Sequence, residues 1–163
     1  MEIRTSGSVE CRVDAPPAAV YAMVSDVTRT GEWSPECRRC EWVDGADRAA
    51  VGARFRGWNR SGLVRWSRLC EVVAAEPGRK FAFRTIPDRL TRDSTTWRYR
   101  LASDGDGTLV TQSYEINRMP GFPVNLVMRT LLRHHGDMRP QMTETLERIK
   151  AIAEADHAAN GVH

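Results

Sequence analysis

The chain has 163 residues, of which 41% are hydrophobic and 28% charged, so it is long and apolar enough for one domain with a substantial core. Its net charge of +3 comes from arginines scattered among acidic residues rather than from a basic stripe, which argues against a nucleic-acid-binding protein. The polar residues 1–10 carry no secretory signal, and no stretch approaches the roughly 18 apolar residues of a membrane span. We therefore expect a cytoplasmic protein without stable membrane insertion, whose four cysteines are reduced.

The N-terminal part of the chain predicts one strand followed by short helices. Residues 9–13 alternate apolar and polar side chains, which is the period of a half-buried strand. Pro16 and Pro17 end this strand, and residues 18–25 carry apolar side chains at helical spacing. Residues 28–32 are compatible with a second short helical turn.

The middle of the chain, residues 37–117, predicts strands joined by short turns. Ser61-Gly62 and Asp104-Gly105-Asp106-Gly107 are typical of hairpin connections. Because no helical pattern separates the strands, neighbouring strands should pair in antiparallel fashion. The predicted strands comprise residues 41–43, 53–59, 63–75, 80–86, 95–102 and 108–117.

After Pro123 the apolar residues recur at helical spacing, which predicts one amphipathic helix of about twenty to thirty residues. Proline in a helix interior costs about 3 kcal/mol, so Pro140 predicts a bend near residues 136–140. On the helical wheel Leu131, Met138 and Met142 lie on the buried stripe. The order of elements indicates an α+β fold in a single domain, residues 1–156, followed by a disordered tail, residues 157–163.

Four local signatures carry a resemblance to a known family. They are Val13-Asp14-Ala15-Pro16 leading to Val20-Tyr21, then Trp33-Ser34-Pro35-Glu36, the stretch 52–57 and the stretch 76–81. Together they resemble the START-like helix-grip superfamily, in its polyketide cyclase/dehydrase and lipid-transport branch. The resemblance implies a curved antiparallel sheet of about seven strands around the long C-terminal helix, with one or two short helices after the first strand. It also implies a cavity that binds lipids, polyketides or other apolar molecules, with no cofactor.

Alternation along the strands predicts which side chains line such a cavity. In the third strand Phe55 and Asn59 should face inward, because the opposite choice would bury unpaired arginines at several kcal/mol each. Asn59 and Arg68 are polar residues on apolar faces and are candidates for ligand recognition. For Arg68 the favoured prediction is a solvated side chain beyond the curled sheet edge, because arginine is almost never fully buried without a partner. The predicted ligand-binding residues are Trp33, Phe55, Asn59, Trp66, Arg68, Phe83, Trp97, Tyr99, Leu131, His135, Met138 and Met142.

The facing of the last strand is open from the sequence. Apolarity favours the set with Gln112 and Tyr114 inward, whereas the other register would bring Thr111, Ser113 and Glu115 inside. His134 and His135 flank the helical stripe, and neighbours on a helix point in different directions, so we expect no metal site there. If the protein is an enzyme, its acid–base candidates are Arg68, Tyr99, Glu115, His134 and His135.

Three functions are compatible with the sequence. The favoured one is a binder or carrier of a hydrophobic small-molecule ligand, present as a monomer or homodimer. The second is a polyketide cyclase/dehydrase-type enzyme. The third is a protein-interaction module that uses the sheet edge or exposed Trp33, Trp42 and Trp58.

A cysteine pair in the segment Cys37-Arg38-Arg39-Cys40 has the spacing of a redox or zinc motif. Neither a second ligand pair nor a thioredoxin-like context accompanies it, so we expect no redox or zinc function from this motif.

Overall fold

The computed structural model describes residues 2–161. Its strands form one antiparallel sheet in the order β1-β7-β6-β5-β4-β3-β2, which confirms the predicted sheet of about seven strands. The strands are β1 (Ser6–Val13), β2 (Cys37–Val43), β3 (Arg54–Ser61), β4 (Val64–Glu76), β5 (Lys80–Thr85), β6 (Ser94–Asp104) and β7 (Gly107–Arg118).

Two tight hairpins set the register of the sheet. Ser61 pairs with Val64 across a two-residue loop, and Asp104 pairs with Gly107 across another. Such loops require positive φ, which Gly62 (59°) and Gly105 (58°) supply without steric cost. Both predicted hairpin connections are therefore confirmed.

Two short helical segments link β1 to β2. Helix α1 (Pro17–Val24) begins with proline in its first turn, where the missing N–H has no helical partner to lose, and it buries Val20, Met23 and Val24. A 3₁₀ turn (Val27–Glu32) follows, and the side chain of Asp26 accepts a hydrogen bond from the Thr28 backbone N–H at its start.

The C-terminal segment is divided into two helices rather than forming one. Helix α2 (Val124–Thr130) is followed by a 3₁₀ turn (Arg133–Gly136) and then by the long helix α3 (Arg139–Asn160). Pro140 lies in the first turn of α3, where its missing N–H removes no helical hydrogen bond. The proline thus starts a helix instead of bending one, and the chain changes direction in the predicted region without a continuous helix.

This division changes which side chains are buried. Leu131, predicted to lie on the buried stripe, is 64% exposed, whereas its neighbour Leu132 is buried. The helical wheel failed here because it assumed one unbroken helix through the 3₁₀ turn. Helix α3 also continues through Asn160, so residues 157–160 of the expected disordered tail are helical, and residues 162–163 lie outside the described part of the chain.

The core lies between the sheet, α1 and the inner face of α3. That face of α3 buries Met142, Leu146, Ile149 and Ala153 at the three- and four-residue spacing of an amphipathic helix. Within residues 2–161, no helix is both long and apolar enough to cross a membrane. The large side chains that are almost fully buried include Trp33, Tyr114, Phe81, Leu146 and Ile149.

Candidate functional site

A cavity of about 500 Å³ lies between the sheet and the C-terminal helices. Strands β2 to β7 contribute residues to its wall, as do α2, the second 3₁₀ turn and the start of α3. The end of α1, the first 3₁₀ turn, the segment 33–36 and the loop between β5 and β6 complete it. Of the predicted ligand-binding residues, only Leu131 is not on its wall, since Leu131 points to solvent. The residues that do line it are Trp33, Phe55, Asn59, Trp66, Arg68, Phe83, Trp97, Tyr99, His135, Met138 and Met142.

Aromatic rings form much of the apolar wall. Phe55 packs edge-on against Phe83, with ring centroids 5.2 Å apart, and Trp97 lies 5.6 Å from Tyr114. The first pair is edge-to-face, at 73° between ring planes, and the second is tilted at 34°. Aromatic pairs at such distances add stability beyond the area they bury. Trp33 is also buried, which removes it from the surface tryptophans that could serve an interaction module.

Arg68 is held on the cavity wall by an ion pair. Its Nη1 lies 2.6 Å from Asp93 Oδ1, and Nη2 donates to the Asp93 carbonyl at 3.1 Å. The side chains of Arg68 and Asp93 are only 12% and 14% exposed, so the favoured prediction of a solvated Arg68 is wrong. Arg68 Nε is buried without a hydrogen-bond partner in the described residues, which leaves one donor for a ligand.

Tyr99 and Gln112 form a second polar pair on the wall. Gln112 Nε2 donates to the Tyr99 phenol oxygen at 3.1 Å, and both side chains are buried. Burial raises the pKa of Tyr99, so the phenol stays protonated near neutral pH and can donate a hydrogen bond but not act as a general base. Gln112 Oε1 is buried and has no partner in the described part of the chain.

The facing of β7 is settled by these contacts. Val110, Gln112 and Tyr114 are buried on the inner face, as apolarity favoured. Glu115 lies on the outer face, where its carboxylate pairs with Arg98 at 3.3 Å. Glu115 therefore does not reach the cavity, and the register that would have placed it inside is wrong.

A carboxylate and two imidazoles meet at one end of the cavity. His135 Nε2 lies 2.9 and 3.0 Å from the two oxygens of Glu36, and His134 Nε2 contacts the same carboxylate. Gln141 Nε2 lies 3.4 Å from Glu36 Oε1. The side chains of Glu36 and His135 are 15% and 12% exposed, whereas His134 is more open. Glu36, His135 and Gln141 line the cavity.

The electrostatics of the cluster favour an ionised carboxylate. Burial alone would raise the pKa of Glu36, but hydrogen bonds and charge from His135 and His134 outweigh this effect and hold the pKa below its usual range. Glu36 is therefore negatively charged near neutral pH, although it is largely withdrawn from solvent.

The convergence of the two histidines contradicts the expectation from sequence. Their rings lie 4.6 Å apart at 86°, and His135 also packs edge-on against Trp66. Both belong to the short 3₁₀ turn between α2 and α3, and they converge because each imidazole reaches the same Glu36 carboxylate. Glu36 was missed as a functional residue, since nothing in the local sequence links it to histidines almost a hundred positions away.

Three thiols also line the cavity, those of Cys37, Cys40 and Cys70. Cys37 and Cys40 would face opposite sides of a regular strand, but a bulge between Cys37 and Arg39 turns both inward, with their sulfurs 3.3 Å apart. Gly57 on β3 leaves room for them, because a Cβ there would lie 3.3 Å from Cys40 Sγ. The Cys40 thiol lowers the pKa of Cys37, whereas burial raises the pKa of Cys70 to about 12.

Solved structures with this fold come from several organisms. A Polyketide_cyc-like protein from Corynebacterium glutamicum is 30% identical over 100% of this chain and 99% of its own, with a TM-score of 0.63. TTHA0849 from Thermus thermophilus is 18% identical over 93% of this chain and 98% of its own, with a TM-score of 0.70. The di-domain ARO/CYC StfQ of the steffimycin biosynthetic pathway is 15% identical, with a TM-score of 0.70, over 93% of this chain and 51% of its own.

A comparison with curated proteins found no match to this chain. The model of the family described as polyketide cyclase/dehydrase and lipid transport matches residues 4–154, which is nearly the whole chain. That match agrees with the element order, with the sheet wrapped against a long C-terminal helix and with the similarity to the corynebacterial protein. The chain belongs to the polyketide cyclase/dehydrase and lipid-transport family.

Proposed function

We propose that this protein binds an apolar small molecule that carries one or more polar groups, and that it acts as a binder or carrier of that molecule. The cavity volume of about 500 Å³ falls in the usual range for ligand sites, roughly 300–1,000 Å³. Its wall is mainly aromatic and aliphatic with a few polar groups, which is the usual composition of such sites. The family includes lipid transport, which agrees with this chemistry.

One observation carries the proposal: four buried polar atoms on residues of the cavity wall have no hydrogen-bond partner in the described chain. They are Arg68 Nε, Thr91 Oγ1, Gln112 Oε1 and Gln141 Oε1. Leaving a buried polar group unpaired costs about 1–3 kcal/mol. A ligand with hydroxyl or carbonyl groups at the matching positions would satisfy these atoms, so it would gain specificity as well as apolar contact.

Native mass spectrometry of the protein purified from its own host tests this proposal. We expect a folded species with an added mass that is lost on denaturation, and extraction should release an apolar compound with oxygen-containing groups. The proposal would be overturned if the host protein carries no bound molecule and a crystal structure shows a collapsed, well-packed interior.

A second function is favoured by the Glu36–His135 contact. A carboxylate hydrogen-bonded to an imidazole on a cavity wall can take up and return protons during a reaction of the bound molecule. Tyr99, with its hydroxyl on the same wall, could donate to a carbonyl of that molecule. This arrangement supports a cyclase- or dehydrase-type reaction of a polyketide, which the family also includes.

Turnover of a synthetic poly-β-keto thioester separates the two functions. An enzyme should convert it to a cyclised or dehydrated product, and His135→Ala or Glu36→Gln should slow the reaction by about 10²–10⁴-fold. His157→Ala, on the exposed C-terminal turn of α3, is the matched control and should react as the wild type does. Tight binding without any conversion, in wild type and variants alike, would exclude the enzymatic function for this substrate class and favour the carrier.

A further inference from the structure

We propose that Glu36, His134 and His135 form a binding site for a divalent transition-metal ion, best matched by Zn²⁺. Each residue offers one ligand atom, and these atoms all lie within 4.8 Å of one another. Zinc binds imidazole nitrogen and carboxylate oxygen at about 2.0–2.2 Å, which places neighbouring ligand atoms about 3–3.5 Å apart. The separations of 2.9 and 3.0 Å between His135 Nε2 and the Glu36 oxygens are close to that spacing, so small side-chain shifts would admit an ion.

The ligand chemistry selects the class of ion. Two imidazoles and one carboxylate suit zinc and its neighbours in the first transition series, whereas calcium and magnesium prefer all-oxygen sites. The Glu36 carboxylate is only 15% exposed, and a carboxylate so far withdrawn from solvent gains from a compensating cation.

The surroundings of the cluster supply the support that metal sites need. Trp66 packs against His135 and fixes its ring. Gln141 places its Nε2 3.4 Å from Glu36, while its Oε1 is buried with no partner in the described residues. An unpaired acceptor beside the three ligand atoms is an independent sign of a missing donor, and a water molecule on a bound ion would provide one.

The position of the site gives the ion a role. Three protein ligands leave at least one coordination position open, as in catalytic zinc sites. Because Glu36, His135 and Gln141 line the cavity, an open position on that side would accept a carbonyl or carboxylate oxygen of the bound molecule and polarise it. This role rests on the proposed ligand binding, whereas the metal site itself does not.

The nearby thiols are the main competitor for a metal and must be distinguished from the cluster. Cys37 follows Glu36 in the sequence, and its sulfur lies 3.3 Å from that of Cys40. Thiolates bind zinc strongly. A Cys37→Ser/Cys40→Ser double variant removes this competitor, and Co²⁺ identifies the ligands because thiolate ligation adds intense near-ultraviolet absorption that nitrogen and oxygen ligands lack.

The test uses purified protein freed of metal with a chelator and titrated with Zn²⁺ by calorimetry and with Co²⁺ by absorption. We expect one equivalent to bind to the wild type, to the double cysteine variant and to the control His157→Ala, without thiolate absorption. Glu36→Gln and His135→Ala should weaken binding by more than the ~10–100-fold that loss of an outer partner costs. Gln141→Leu should weaken it within that range.

The inference would be overturned by wild-type protein that binds no metal, or by Glu36→Gln and His135→Ala variants that are folded by circular dichroism yet bind like the wild type. It would also be overturned if only the cysteine substitutions abolished binding. None of these measurements needs an apolar ligand. A failure here would therefore leave the binding proposal standing, and an empty cavity would leave the metal result standing.

Discussion

The hydrogen-bond and ion-pair partners of single polar residues on the cavity wall could not be predicted from the sequence. Alternation along β4 correctly predicts that Arg68 shares the face of Trp66 and Cys70, which line the cavity, although the rarity of buried arginine favoured a solvated side chain. The partner of Arg68, Asp93, lies in the loop between β5 and β6, and no periodicity locates a loop residue. Facing could thus be predicted from the sequence, whereas pairing depends on how loops fold back over the sheet.

Tyr99→Phe should lower stability and alter its dependence on pH. At neutral pH the loss of the phenol oxygen leaves Gln112 Nε2 without its acceptor, which should lower the free energy of unfolding by about 1–3 kcal/mol. Burial raises the folded-state pKa of Tyr99 above its ordinary value near 10.0. The free energy of unfolding is therefore unaffected by Tyr99 ionisation below about pH 10 and falls above it. It falls because the phenol loses its proton more readily in the unfolded chain than in the folded protein.

Urea unfolding of wild type and variant at neutral pH and at about pH 11 measures this effect. The wild type should lose more free energy of unfolding between the two pH values than Tyr99→Phe does. Some decline should remain in the variant, since the pKa values of Tyr21 and Tyr114 are raised as well. Equal losses in the two proteins would contradict the assignment of a buried, neutral Tyr99.

Gly57→Ala should destabilise the protein through the thiol pair. The new Cβ would lie 3.3 Å from Cys40 Sγ and 3.6 Å from Cys37 Sγ, and the close sulfur–sulfur contact limits how far either thiol can withdraw. Overpacking of this kind costs about 1–3 kcal/mol. Denaturant unfolding measures the change in the free energy of unfolding.

Two comparisons give this substitution a control. In a Cys40→Ala background the added methyl group should cost much less, which a double-mutant cycle reports as coupling. Gly121→Ala, where nothing lies within 4 Å, should change stability by less than about 0.5 kcal/mol. An equal cost for Gly57→Ala with and without Cys40 would show that the thiols are not what fills the space.

At the scale of elements, the strands followed their sequence patterns more closely than the C-terminal helices did. Alternation and hairpin turns are local signals, so the antiparallel pairing of neighbouring strands and most boundaries could be predicted. The division between α2 and α3 could not, because apolar spacing continues through the 3₁₀ turn and proline is compatible with either a bend or a first turn. That division is what exposes Leu131 and turns His134 and His135 towards Glu36.

Helix α2 should be the least stable helix and should respond to ligand. None of its seven residues is buried, yet Val124, Val127 and Met128 contribute to the cavity wall. Segments with few buried contacts open locally at low free-energy cost. Hydrogen–deuterium exchange should therefore show fast exchange in α2 of the ligand-free protein and slower exchange when an apolar ligand is bound.

The buried face of α3 is the internal reference for that experiment. Met142, Leu146 and Ile149 are buried there, so the amides of this helix should be well protected with or without ligand. Protection of α2 equal to that of α3 in the ligand-free protein would contradict a loosely held α2 at the cavity.

At the scale of the whole molecule, the fold could be predicted and the polar end of the cavity could not. The family signatures and the alternating strands together indicate the sheet, the long helix and most of the apolar wall. The Glu36–His134–His135 cluster arises when the loop before β2 meets the turn before α3, which are distant in sequence. These residues come together only in the folded chain, so their shared chemistry could not be predicted from the sequence.

We expect the interior to bind an apolar ligand, and two substitutions on one strand test this binding. Asn59 faces the cavity, while its neighbour Arg60 is exposed on the opposite face. Asn59→Trp should fill part of the cavity, whereas Arg60→Trp adds the same ring outside it.

The deciding measurement is a fluorescence titration of wild type and both variants with an uncharged naphthylamine probe such as N-phenylnaphthylamine. We expect saturable binding with a blue-shifted emission for wild type and Arg60→Trp, and loss of at least about tenfold in affinity, or about 1.4 kcal/mol, for Asn59→Trp. Folded wild-type protein that binds no probe, or equal binding by all three proteins, would show that the interior does not hold an apolar ligand.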